Sequence, residues 1–266
     1  MLYEIECLNE EVEELSSLLS SLASTDWERV TAFKSWTIND VVLHLYASDY
    51  MGIASTTSEE AFRTLREDMM RHRNAGATPI EESRHRFPGL FGRGLYEVWI
   101  EQAHEMSRRL SMRTPEEKLP WAGPPMTVPS FAAARQMENW AHSQEIYDTL
   151  NLQRAATDRL KPIATLGVKT FKWAYVNRGL PAPDAPPRVR LTAPSGAIWE
   201  WNAYNTTDMI EGDASEFSQV VTQVRNLADT SLRVEGEIAR QWMQIAQCFA
   251  GAPSNPPAPG SRRRGV

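Results

Sequence analysis

Residues 35–49 read SWTINDVVLHLYASD and combine a helix start with the apolar run that follows it. Thr37 is a residue type whose side chain caps the free N–H groups of a first helical turn, and Asp40 stands at the third helical position of a capping box. The pattern predicts a helix over about 38–54, with His44 in its middle.

Apolar residues recur every three or four positions in further segments, which is typical of amphipathic helices. These segments are 2–24, 95–110 and 130–150, which with 38–54 make four; residues 58–73 form a charged helical stretch between them. Four long helices joined by loops predict an antiparallel four-helix bundle in the first part of the chain.

The pattern changes at residues 177–187, where NRGLPAPDAPP cannot continue a preceding helix. Apolar and polar residues then alternate in 188–193 and 197–203, on either side of a Pro-Ser-Gly turn signal, and predict two strands. Helical patterns follow at about 214–226 and 235–249. The fold class predicted for the whole chain is therefore α+β.

Four parts follow from these patterns. They are a helical bundle at 1–155, a connector helix and linker at 156–179, a small α+β domain at 180–253, and a disordered tail at 254–266. The tail is expected to be disordered because it is rich in proline, ends in an arginine cluster and has too little apolar surface to fold.

Charge and composition exclude several classes of function. With 28 Lys and Arg against 34 Asp and Glu, the net charge of -6 gives no general positive field for nucleic acid. No apolar run reaches the roughly 18 residues of a membrane span, and the acidic N-terminus does not resemble a signal peptide. Cys7 and Cys248 are too few for a disulfide framework, which fits a reducing cytoplasm. We expect a cytoplasmic protein that binds a small molecule, as a monomer or homodimer.

Glu138 and His142 form the clearest half of a metal site. They lie four residues apart in the predicted helix 130–150, so both project from one face with about 5–6 Å between their Cβ atoms. His44 is the best third ligand because it stands in an apolar stretch of another helix. Two histidines and one carboxylate would leave positions open on a divalent metal.

A simpler interpretation stays open at this point. His44 could be a hydrogen-bonded core histidine, and Glu138 with His142 an exposed helical pair. The remaining histidines are weaker candidates because each stands beside Arg or another charged residue; they are His72, His85 and His104.

Two segments resemble the mycothiol-dependent maleylpyruvate isomerase family, whose N-terminal domain is a DinB-like four-helix bundle. SWTINDVVLHLYASD resembles its first metal-binding stretch and places His44 at a ligand position. ARQMENWAHSQEIYDTL, residues 134–150, resembles the second stretch and places Glu138 and His142 at the other two. A less characterised branch of the same superfamily, labelled as linked to wyosine-base formation, is similar in further segments: WAGPPMTVPS before the second stretch, and NRGLPAP, LTAPSGAIWEW and VVTQVRNLADTSLRVEGEIARQWMQIAQCFAGAP after it. The resemblance therefore spans roughly residues 5–253.

The resemblance implies a metal-dependent isomerase or S-transferase with mycothiol as thiol cosubstrate. The metal implied is divalent, with zinc as first choice and nickel, iron or manganese left open. Neither Cys7 nor Cys248 is placed to supply the thiol, so an external thiol is expected, or none. Two alternatives remain: a thiol-independent lyase, hydrolase or cyclase that uses the same ligands, and a non-catalytic metal-containing binding protein.

Three further residues are weak candidates for contact with a substrate. Trp121 and Met126 belong to a proline-rich loop before the helix of Glu138 and could wall the metal pocket, or serve only as a rigid connection. Arg225 could contact an anion, although a solvated arginine at a helix end is the commoner case. The resembled branch tends to have a second arginine where Asn226 stands, which puts an anionic substrate in doubt.

Overall fold

The computed structural model describes residues 1–262, and the chain divides into two compact units. One unit is Met1–Thr149, and the other begins at Leu150. Within the described residues, no helix is both long enough and apolar enough to cross a membrane.

The first unit is built from helices and one short ribbon. The helices are α1 Tyr3–Ser20, α2 Ile38–Thr57, α3 Glu59–Asn74, α4 Pro79–Arg86, α5 Gly92–Ser111 and α6 Val128–Leu150. The ribbon consists of β1 Lys118–Leu119 paired antiparallel with β2 Met126–Thr127. Its core contains fully buried side chains from the four long helices, among them Leu15, Leu45, Trp99 and Phe131.

The capping box predicted for α2 is confirmed. Thr37 Oγ1 accepts from the Asp40 amide at 3.1 Å, and Asp40 Oδ2 accepts from the Thr37 amide at 3.0 Å. Arg84 of α4 also donates to both oxygens of Asp40, at 2.7 and 2.9 Å. One carboxylate therefore fixes both the start of α2 and its contact with α4.

Helix directions in the bundle follow from the contacts between neighbours. Asn39 Oδ1, near the start of α2, accepts from the amide of Gly92, the first residue of α5, at 2.9 Å. Further along both helices toward their C-termini, Gln102 of α5 donates to the Tyr46 carbonyl of α2 at 2.6 Å. Thus α2 and α5 run parallel, because α3 and α4 carry the chain back between them. A bundle of long helices is present as predicted, but the expectation that it is antiparallel throughout is wrong, because α2 and α5 are neighbours that run parallel.

The second unit contains the sheet, and the predicted α+β fold class is confirmed. Its helices are α7 Lys161–Lys169, α8 Phe171–Val176, α9 Ala214–Val221 and α10 Glu237–Ile245; its strands are β3 Arg188–Thr192, β4 Ile198–Trp201, β5 Met209–Asp213 and β6 Arg233–Glu235. The strand order is β4-β3-β5-β6, with β3 and β5 parallel and the other pairs antiparallel.

Sequence patterns predicted β3 and β4 but missed β5 and β6. Strand β5 reads MIEGD and β6 is three residues long, so neither shows a sustained alternation of apolar and polar residues. The predicted connector helix is also interrupted, since α7 ends at Lys169 and α8 starts at Phe171. Between them, Thr170 Oγ1 donates to the Leu166 carbonyl at 2.8 Å.

Residues 254–262, for which the sequence predicts disorder, make several hydrogen bonds within the second unit. Asn226 donates to the Pro257 carbonyl at 2.8 Å, and Asp229 accepts from the Gly260 amide at 2.8 Å. Each proline in this segment lacks a backbone N–H but keeps its carbonyl oxygen. A side-chain amide such as that of Asn226 can therefore bind the segment without a β-sheet. The last part of the predicted tail, 263–266, lies outside the described residues.

Candidate metal centre

Three side chains from α2 and α6 meet in the first unit. His44 projects from the middle of α2, while Glu138 and His142 lie one turn apart on α6. Both Nε2 atoms lie 3.5 Å from the same Glu138 Oε2, and the three ligand atoms are all within 4.8 Å of one another. The structure therefore brings together the three residues that the sequence singled out.

These spacings suit a metal ion better than direct hydrogen bonds. A charge-assisted N–H···O bond is about 2.7–2.9 Å long, which is well short of 3.5 Å. Metal–ligand bonds of about 2.0–2.2 Å at tetrahedral angles place neighbouring ligand atoms about 3.3–3.6 Å apart. Two imidazole nitrogens and one carboxylate oxygen are also the donor types that bind zinc and similar ions. The residues present therefore fit a divalent metal.

The charge states of Glu138 and His142 suit the binding of a divalent metal. Burial raises the pKa of Glu138, but the close contacts of His142 and His44 outweigh it and hold this pKa well below its ordinary value. Burial lowers the pKa of His142 to about 4, with Glu138 opposing the shift. At neutral pH the carboxyl is ionised and this imidazole is neutral, which are the forms that bind a metal.

Two aromatic rings cover the histidines on one side. The Phe33 ring lies edge-on to His142 with 5.1 Å between centroids, and Trp36 lies 5.3 Å from His44 and 6.3 Å from His142. His44 keeps 25% and Glu138 22% of its side-chain surface exposed. The rings thus shield one side of the histidines, while His44 and Glu138 stay partly accessible to solvent.

A tight turn holds these rings, and sequence patterns did not find it. The Trp36 amide donates to the Phe33 carbonyl at 2.9 Å, and both central residues are left-handed, Lys34 with φ 52° and Ser35 with φ 57°. Such turns favour Asn or Gly, so Lys-Ser here is strained. The Lys34 ammonium lies 4.9 Å from the Phe33 ring centroid and 5.7 Å from that of Trp36. A cation therefore sits at the aromatic edge of the cluster.

Trp121 lies in the loop between β1 and β2, in the segment that precedes α6. Trp121 packs on Phe62 of α3 and on Phe131, at 6.3 and 5.0 Å between ring centroids, and lines a cavity of about 480 Å³ beside α3. Met126 belongs to strand β2. The carbonyl before Trp121 accepts from Ser55, which lies about 16 Å along α2 from His44. Trp121 therefore packs against both α3 and α6, and contact of Trp121 or Met126 with a substrate stays a prediction.

Arg225 is buried in the second unit, with 1% of its surface exposed, so the solvated alternative does not hold. Its Nη1 donates to the Val224 carbonyl at 3.1 Å. Asn226, which stands where the resembled branch tends to have a second arginine, caps a short 3₁₀ turn and holds Pro257. Contact of Arg225 with an anion stays a prediction.

The other histidines stand outside the cluster. His104 pairs with Glu13 at 2.7 Å on the surface, and His72 stacks with His85 at 4.3 Å between centroids. Over residues 1–262, His44, Glu138 and His142 are the one group of three or more His, Cys, Asp or Glu with ligand atoms this close.

Comparison with known families agrees with this geometry. The family described as the mycothiol maleylpyruvate isomerase N-terminal domain matches residues 8–147, which contain all three candidate ligands. The chain belongs to this family.

Two relatives match most of this chain. Two uncharacterised proteins of Mycobacterium tuberculosis, from strains CDC 1551 / Oshkosh and H37Rv, are each 33% identical over 249 residues, or 92% of this chain and 95% of theirs. The solved structure of a histidine-to-alanine mutant of the mycothiol-dependent maleylpyruvate isomerase matches with a TM-score of 0.51 at 12% identity, covering 83% of this chain and 88% of that one. This likeness shows a shared fold.

Proposed function

We propose that the chain is a metal-dependent enzyme of the mycothiol-dependent isomerase or S-transferase type, acting on a small organic substrate. His44, Glu138 and His142 would hold one divalent ion. The observation that carries this proposal is the convergence of two imidazoles on one carboxylate oxygen, each at 3.5 Å. Family membership supports it independently.

A bound divalent metal supplies Lewis acidity, which lowers the pKa of a thiol or water or polarises a carbonyl oxygen. The chain's own residues prepare the site for it. Neutral His142 and ionised Glu138 present lone pairs without first losing a proton at neutral pH. Phe33 and Trp36 exclude water from one side of the imidazoles.

The thiol in this proposal comes from outside the chain. Cys7 and Cys248 are both buried, at 2% and 5% exposure, and neither belongs to the ligand cluster. Cys7 lies in α1, whereas the ligands lie on α2 and α6. An external small thiol such as mycothiol therefore fits better than a protein thiol, and zinc is the metal we propose, ahead of nickel, iron and manganese.

Cobalt substitution tests both parts of the proposal. The chelator-stripped protein is loaded with one equivalent of Co²⁺ and titrated with mycothiol, with N-acetylcysteine as a simpler thiol and the serine analogue as the control. We expect a thiolate-to-cobalt charge-transfer band that saturates with mycothiol and is absent with the serine analogue. A cobalt-loaded protein without that band would favour the thiol-independent alternative.

Activity is then measured on the zinc-loaded protein. Maleylpyruvate is the first substrate to test, because a related enzyme is a mycothiol-dependent maleylpyruvate isomerase. Turnover that requires both zinc and thiol supports the proposal. Binding of zinc with no position open to thiol or water would favour a non-catalytic metal-containing protein.

A further inference from the structure

A buried ion pair joins α2 to α6 close to the three candidate ligands. Asp49 Oδ1 accepts from Arg135 Nε at 3.0 Å, and Arg135 Nη2 lies 2.9 Å from the same oxygen. The two side chains are 3% and 1% exposed, so both charges are removed from water. Within the described residues, the second carboxylate oxygen of Asp49 and Nη1 of Arg135 have no hydrogen-bond partner.

The pair occupies the next level of the bundle beyond the ligands. Asp49 follows His44 by five residues, or about 7.5 Å along α2, and Arg135 precedes Glu138 by three, or about 4.5 Å along α6. Because the two helices run in opposite directions here, these offsets point the same way. Asp49 is also close enough for the charges of Glu138 and His44 to affect its pKa.

Stability alone is a poor reason for this pair. Removing two charges from water is costly, and replacing a buried ion pair by apolar residues of similar volume is often neutral or stabilising. Apolar side chains of both helices, such as Leu45 of α2 and Phe131 of α6, are already fully buried. An ion pair also fixes the position of one helix along the other, because its hydrogen bonds form at only one relative position. Apolar faces still pack when the helices shift slightly along each other.

A metal site requires such an offset to be fixed. Metal–ligand distances vary by only about 0.2 Å, and one ligand here comes from α2 while the other two come from α6. We propose that Asp49 and Arg135 are positioning residues, which fix α2 against α6 so that His44 meets Glu138 and His142 around one ion. This inference rests on the proposed function, since it presumes that the three residues bind a metal.

Replacing the whole pair by apolar residues separates positioning from folding. In the double variant Asp49→Leu/Arg135→Met, no charge is left unpaired, so we expect thermal stability at or above that of the wild type. We also expect the affinity for Zn²⁺ to fall by about 10- to 100-fold, as it does when a residue that orients a metal ligand is removed. In the Co²⁺-loaded protein, the visible absorption bands should shift, which reports the ligand geometry directly.

The matched control is another buried carboxylate–arginine pair in the same unit. Glu82, 1% exposed, accepts from Arg86 Nε at 2.7 Å within α4. Glu82→Leu/Arg86→Met should leave the zinc affinity and the cobalt spectrum unchanged, whatever it does to stability. Equal losses of affinity in both double variants would overturn the inference.

The outcomes separate this inference from the proposed function. A wild type with no affinity for Zn²⁺ or Co²⁺ overturns both. A wild type that binds, with a folded Asp49→Leu/Arg135→Met variant of the same affinity and spectrum, overturns the positioning role alone. If that variant does not fold, Arg135→Lys is measured instead, because lysine keeps the charge but loses the paired Nε and Nη2 contacts with Asp49. Weaker zinc binding in Arg135→Lys supports the positioning role, whereas wild-type zinc binding with an unchanged cobalt spectrum contradicts it.

Discussion

Two pairs of histidines in the first unit look alike in spacing and differ in chemistry. His142 and His72 each follow a carboxylate by four residues, Glu138 and Asp68, on one helix. The ring of each also contacts a histidine ring from another helix, with 4.8 Å between centroids for His44 and His142 and 4.3 Å for His72 and His85. On spacing alone, both are candidate metal sites.

The carboxylates separate the two pairs. Glu138 Oε2 faces both imidazoles of its pair, whereas Asp68 is bound by Arg86 and Arg71. An arginine next to a carboxylate both occupies its oxygens and repels a cation. Close imidazoles therefore indicate a metal site only where the carboxylate is directed at them, which is the case for the first pair.

The largest expected effect comes from removing one histidine of each pair. His142→Ala should lower the zinc affinity by about 1,000-fold or more, because it removes a ligand itself. Removing a residue that only orients a ligand lowers metal affinity by roughly 10- to 100-fold. His72→Ala should keep the metal. Metal content by mass spectrometry, beside circular dichroism of both variants, measures this difference, and full metal occupancy in His142→Ala would show that the ligand assignment is wrong. His104→Ala, which removes a surface hydrogen bond to Glu13, serves as a second control.

A second prediction concerns the arginine that occupies Asp68. Arg86 also binds Glu82, which is 1% exposed, so Arg86→Met leaves a buried carboxylate without that partner. Breaking a buried pair costs about 3–5 kcal/mol, and because Arg86 itself is 18% exposed we expect a loss of about 2–3 kcal/mol in the free energy of unfolding. Urea unfolding measures it. The exposed pair of Arg93 with Glu97 provides the control, since Arg93→Met should change stability by less than about 1 kcal/mol; equal effects would contradict the account.

A third prediction concerns the strained turn, which covers only the first histidine pair. Ser35→Gly should raise the free energy of unfolding by about 1 kcal/mol, because glycine adopts φ 57° without the steric cost that serine bears. Ala32→Gly is the matched control: it lies just before the same turn, outside the left-handed region, and should be neutral or destabilising. A loss of stability in Ser35→Gly similar to that in Ala32→Gly would show that the turn holds no strain.

The smallest effect concerns the titration of Asp68. The hydrogen bond from Arg86 is the main cause that lowers the pKa of this carboxyl below its ordinary value of 3.8, and Arg71 adds to it. The contribution to stability is therefore present above the ordinary pKa and is lost as the pH falls through the lower folded value. Since Asp68 is exposed, that contribution is small. Carboxyl NMR should show this pKa rising in Arg71→Met; a wild-type Asp68 that titrates at or above 3.8 would contradict the assignment.

Local patterns predicted the elements that carry the ligands. The capping box of α2 and the four-residue spacing of Glu138 and His142 are both visible in the sequence, because helix geometry fixes them within a few residues. Bringing His44 to the other two ligands required the packing of α2 on α6. Spacing alone could not provide that contact, and the resemblance to a known family supplied it at the sequence level.

The surroundings of the site were much harder to predict. The turn at Lys34 and Ser35 lacks the Asn or Gly signal of its type, so its strain is visible only in the structure. Trp121 was expected near the ligands because it is close to α6 in sequence; it contacts α6 at Phe131, seven residues before Glu138, and packs on Phe62 of α3 as well. Asp49 is visible in the sequence as an unusual residue, because an acid four residues after Leu45 lies on the buried face of α2.

X-ray absorption at the zinc edge tests the central claim most directly. The chelator-stripped protein, loaded with one equivalent of Zn²⁺, should show two imidazole nitrogens and one carboxylate oxygen at about 2.0–2.2 Å, with at least one further light atom. Addition of mycothiol should introduce one sulfur at about 2.3 Å. The same measurement on His142→Ala should lose an imidazole. A spectrum without imidazole scattering, or one that is identical in the wild type and His142→Ala, would contradict a metal centre formed by His44, Glu138 and His142.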